Sequence, residues 1–92
     1  MNETIVTYWI ITRLARLLHR LDLKMPVWRL AALLNRLGRR TQNGLPYKGV
    51  RGTYKLVKHA YNWAEANLGE EAAAVAEAFV RPNGRHAWPS SE

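Results

Sequence analysis

Apolar residues recur along residues 3–21 at Ile5, Trp9, Ile10, Leu14, Leu17, Leu18 and Leu21, the spacing of an amphipathic helix, with Arg13, Arg16 and Arg20 on its other face. A second helical run opens at Pro26, which suits a first turn, and carries Val27, Leu30, Ala31, Leu33, Leu34 and Leu37 before Gly38 supplies a left-handed stop. Only Asp22 to Met25 separates these runs, which predicts that the two helices are close neighbours. From Arg39 to Gly52 the periodicity gives way to Gly44, Pro46, Gly49 and Gly52, so an ordered loop is expected, or a minor β-hairpin at Asn43-Gly44. Helical spacing returns with Thr53 as N-cap and runs to about Leu68, where Gly69 breaks it. Glu70 and Glu71 open a last helix to about Val80, and Pro82-Asn83-Gly84 begins a turn and short tail. The pattern predicts a mainly all-α fold. The expectation is a small four-helix domain with a helix-turn-helix-like unit, an ordered core at about residues 3–81 and a tail at 82–92 from which Trp88 packs back on the core or offers a partner an aromatic contact.

Length confines this reading to one domain: 92 residues, 48% of them hydrophobic, bury one modest core and leave no room for a separate cofactor fold. There is no cysteine, so no disulfide or thiolate zinc site contributes, which suits a reducing cytoplasm. The apolar stretch from Thr4 to Leu18 is interrupted by Arg13 and Arg16, which argues against a membrane span. Charge then divides the chain. Twelve Lys or Arg against Glu3 and Asp22 give residues 1–62 a charge of +10, whereas residues 63–92 carry −3. Such asymmetry is an electrostatic footprint for a polyanion.

The footprint narrows to Arg36–Asn62. On a helix, Leu56, Val57, Ala60, Tyr61 and Ala64 form an apolar face, and Lys55, Lys58, His59 and Asn62 stand together opposite them. Lys donates to guanine acceptors and Asn pairs with adenine, so these four are candidate base readers in a major groove. Arg36, Arg39, Arg40, Lys48 and Arg51 are the candidate phosphate contacts, with the amides of Gly52 and Thr53 at the helix start. The alternative is an ordinary solvated basic stripe.

The spaced residues Leu34-Asn35, Gly38, Thr41, Gly44 and Tyr47 resemble a signature in the DNA-binding recombinase region of large serine recombinases, over about a third of the chain. The resemblance implies that Val27–Leu37 is a supporting helix and that the helix from Thr53 approaches DNA. It also implies a phage or other mobile-element origin. The insert Gly49–Gly52 departs from the family's spacing, and the catalytic serine domain is absent, so strand cleavage is not implied.

No enzyme, cofactor or metal is expected: His19, His59 and His86 are far apart, and no phosphate-binding loop or nucleophile–base pair is visible. The expected function is therefore a small cytoplasmic double-stranded-DNA-binding regulator or accessory factor, acting as a homodimer through the first helix or the acidic last one. The alternative is a phage-encoded inhibitor that grips an acidic host protein or a nucleoprotein complex. RNA is a third partner, although the sequence offers no sheet of stacking aromatics.

Overall fold

The computed structural model describes residues 3–48, 51–81 and 84–85, with the backbone alone at Arg51; Gly49, Val50 and most of the expected tail, including Trp88, lie outside the described residues. Four helices form: α1 (Glu3–Arg20), α2 (Val27–Arg36), α3 (Arg51–Asn67) and α4 (Glu71–Ala78). Two short strands, β1 (Met25–Pro26) and β2 (Phe79–Val80), pair in parallel, with Met25 opposite Phe79 and Pro26 opposite Val80. No helix of the described residues is long and apolar enough to cross a membrane.

The face that α1 buries differs from the one its large apolar residues predict. Thr7, Ile11, Thr12, Ala15 and Leu18 are inside, whereas Leu17 and Leu21 are exposed. The reason is local. The Thr7 and Thr12 hydroxyls donate to the carbonyls of Glu3 and Tyr8, 3.1 and 2.9 Å away, so these residues enter the core with their polar atoms satisfied. Ala15 then lets neighbouring backbones approach.

Asp22 ends α1 in the left-handed region at φ 55, where the Leu23 and Asp22 amides cap the Leu18 and His19 carbonyls. The chain is thereby turned into β1. The short connection does not make α1 and α2 principal partners: α1 is covered by α4 and α3, and α2 leans on α3.

Pro26 stands at the N-cap of α2, just outside the helix it was expected to open. Helix α2 sends Val27, Leu30, Ala31 and Leu34 inward and α3 sends Val57, Ala60 and Ala64 to meet them, as the helical spacing predicts, whereas Leu37 of the expected α2 run is exposed and Thr53 joins the core against expectation. Thr53 is not the N-cap, because α3 already begins at Arg51. Helix α4 stops at Ala78, two residues earlier than expected, where Phe79 adopts an extended φ of −111° and ψ of 136°. Extension places the Phe79 ring wholly in the core while Val80 pairs with Pro26.

Candidate nucleic-acid interface

The connection from α2 to α3 spans residues 37–50, far longer than the three or four residues of a helix-turn-helix turn. Its order comes from Gly38, Thr41, Gly44 and Tyr47 along it and from Asn35 in the last turn of α2. Gly38, at φ 80, lets the Arg39 and Gly38 amides cap the Leu34 and Asn35 carbonyls. The Asn35 side chain then holds Tyr47 from both sides: its Nδ2 donates to the Tyr47 carbonyl at 2.9 Å and its Oδ1 accepts from the Tyr47 amide at 2.8 Å. Between these points Thr41 closes a turn, exchanging backbone bonds with Leu45 and Gly44 while its Oγ1 accepts from the Leu45 amide. Gly44 takes φ 79 within that turn, and no strand forms in residues 39–48. The Tyr47 hydroxyl donates to the Arg40 carbonyl at 3.1 Å, and burial raises its pKa.

This loop, the first turns of α1 and the outer face of α3 enclose a half-open concavity of about 670 Å³. Arg40 lies on its loop wall and Lys55 and His59 on its α3 wall, with Thr41, Tyr47 and Glu3 between them. Glu3 is the one carboxylate on the described lining, and Arg39 pairs with it, Nη2 to Oε2, at 2.6 Å. What remains is cationic.

Lys55, Lys58, His59 and Asn62 are all exposed on α3, opposite buried Val57, Ala60 and Ala64. Lys48 and Arg40 are exposed on the loop, where Arg40 Nη1 donates to the Asn35 carbonyl at the end of α2 and to the Arg39 carbonyl beside it.

Three other expected contacts are not brought here. Arg39 is only 16% exposed: besides the Glu3 carboxylate, it donates to the Glu3 carbonyl at 2.8 Å and to Thr7 Oγ1 at 3.1 Å. It fastens the loop to α1 and faces no partner. Thr53 is wholly buried, so no phosphate reaches it. Arg36 lies on a different surface, a groove shared with Lys24 and Arg29. The Arg51 side chain, the fourth, lies outside the described residues.

The acidic helix is also committed within the chain. Glu71 pairs with Arg16, and Glu77 lies 3.7 Å from His19. Tyr8 and Trp9 pack on Trp63, with ring centroids 6.1 and 5.3 Å apart, so these large rings join α1 to α3. Among the described residues no group of three His, Cys, Asp or Glu side chains is placed to hold a metal ion. No protein-family model, no curated protein and no solved structure matches this chain.

Proposed function

We propose that this chain is a non-enzymatic double-stranded-DNA-binding accessory protein or regulator that uses α3 and the loop before it. One observation carries the reading: exposed Lys55 and His59 share a cationic concavity with Arg40, and its only described carboxylate is already ion-paired. Lys55, Lys58, His59 and Asn62 are the base-facing side chains of this reading, and Arg40 and Lys48 hold phosphates on the loop side. The resemblance to the recombinase DNA-binding region supports the same assignment, together with a mobile-element origin. Few base-reading positions on one chain favour a dimer on two half-sites.

The test is fluorescence anisotropy with random-sequence duplex across a salt series. Each phosphate contacted contributes about −0.9 to the log–log slope, so the two loop contacts of each chain, four in the dimer, predict a slope near −3.6. Alanine at Arg40, Lys48 and Lys55 together removes both phosphate contacts and the lysine of the concavity and abolishes measurable binding to this random duplex. Salt-insensitive binding, or equal binding by the triple variant, overturns the proposal.

A further inference from the structure

A second surface is unaccounted for by any duplex-binding role. The turn into β1 and the outer face of α2 form a groove of about 490 Å³, lined by Leu23, Met25, Trp28 and Leu33 with Lys24, Arg29 and Arg36 around them. Trp28 is 56% exposed and Leu23 52% exposed, although both border the core elements β1 and α2. Leaving an indole and a leucine mostly in water forgoes favourable burial, and every other large ring of the described residues is buried or half-buried. Trp and Arg are also the residues in which binding energy concentrates at interfaces. The described lining holds three cations and no carboxylate.

We propose that this groove is a docking site for an acidic amphipathic helical segment of a partner protein, whose apolar stripe covers Leu23 and Trp28 and whose carboxylates meet Lys24, Arg29 and Arg36. Charge complementarity and shape select this occupant. A DNA duplex offers phosphates but little apolar surface to cover the indole. A bilayer offers an essentially flat surface, whereas these apolar side chains line a concave one. A second copy of the chain carries the same net charge of +7, and the two carboxylates of its α4, Glu71 and Glu77, already face Arg16 and His19 of their own chain. A helix laid into an apolar groove is an established mode of peptide recognition. The site does not rest on the DNA-binding proposal, because it shares none of the α3 or loop residues assigned there.

The experiment uses the full chain and a synthetic helical peptide with leucine at successive three- and four-residue spacings and glutamate elsewhere. Titration is followed by isothermal calorimetry and by amide chemical-shift mapping. The expected result is saturable binding with shifts confined to residues 23–36. Affinity is lost at least about tenfold in Trp28→Ala and in the double variant Lys24→Ala, Arg29→Ala, and is unchanged in Lys55→Ala, Lys58→Ala. Trp28 is exposed, so its truncation is expected to leave the fold intact, which circular dichroism of the variant checks.

Three outcomes overturn the proposal: equal binding of a peptide with its leucines replaced by glutamine, Trp28-independent binding, or stronger Trp28-dependent partition into phosphatidylserine vesicles than onto the peptide. Loss of DNA binding in a separate titration bears only on α3 and the loop.

Discussion

Removing the Asn35 amide tests whether the α2–α3 loop is held by the side chain that bridges it. In Asn35→Ala, Tyr47 loses the donor 2.9 Å from its carbonyl and the acceptor 2.8 Å from its amide. A net hydrogen bond is worth about 0.5–1.5 kcal/mol, and a buried group left without a partner costs about 1–3 kcal/mol. Tyr47 is half-buried, so water recovers part of that loss and the expected cost is about 1–2 kcal/mol. For a domain of this size that lowers Tm by roughly 5–15 °C. Asn35→Asp separates the two bonds, because a carboxylate still accepts from the Tyr47 amide but opposes its carbonyl. It should be less stable than Asn35→Ala at neutral pH and recover as acidification protonates the carboxyl, which can then donate to the Tyr47 carbonyl. Urea denaturation gives the global cost, and hydrogen exchange at the Tyr47 amide reports the loop itself. The reasoning is refuted if Asn35→Ala stays within about 0.5 kcal/mol of the parent and the Tyr47 amide exchanges no faster.

Arg39→Ala should cost about 1–3 kcal/mol in urea, because three acceptors on Glu3 and Thr7 lose their donor. Glu3→Gln should cost no more than about 1 kcal/mol, since its carboxylate is 85% exposed; equal losses in the two variants would contradict the assignment. Asp22→Gly should raise stability by about 0.5–1 kcal/mol, because an L-residue at φ 55 is strained while glycine is not; a lower Tm would contradict this. Burial raises the Tyr47 pKa from 10.0, outweighing the Thr7 hydrogen bond and the Arg39 charge that lower it. Its neutral phenol therefore contributes stability that is present below pH 10.0 and is lost as pH rises through the raised folded value. Tyr47→Phe should flatten the alkaline decline in Tm, and an unchanged decline would refute the link.

Where apolar spacing and burial coincide, the sequence was a sufficient guide. Leu30 and Leu34 of α2 and Val57, Ala60 and Ala64 of α3 are inside as their periodicity predicts. In α1 that logic misleads, because a threonine that bonds its own preceding turn is as easily buried as an alanine. The candidate site was legible in the exposed residues Lys55, Lys58, His59 and Asn62, whose spacing alone fixes their common face. It was not legible in Arg39 or Thr53: what a charged or hydroxylated side chain meets depends on α1 and the core, far away in sequence. The Trp28 groove did leave a local trace. Trp28 falls outside the apolar run read for α2, although that run also takes in Leu33, which the structure places in the same groove as Trp28, and Leu37, which is exposed.

The parallel pairing of Met25–Pro26 with Phe79–Val80 sets a condition on how the protein is made. Phe79 is the largest wholly buried side chain described, and it sits at the far end of the last helix, beside a strand laid down before α2. On the ribosome, a chain that has emerged only through α3 holds helices in search of a lid. Its core still lacks Phe79 and the strand that pairs with β1, so a chain cut just ahead of Phe79 is expected to lose the stable fold.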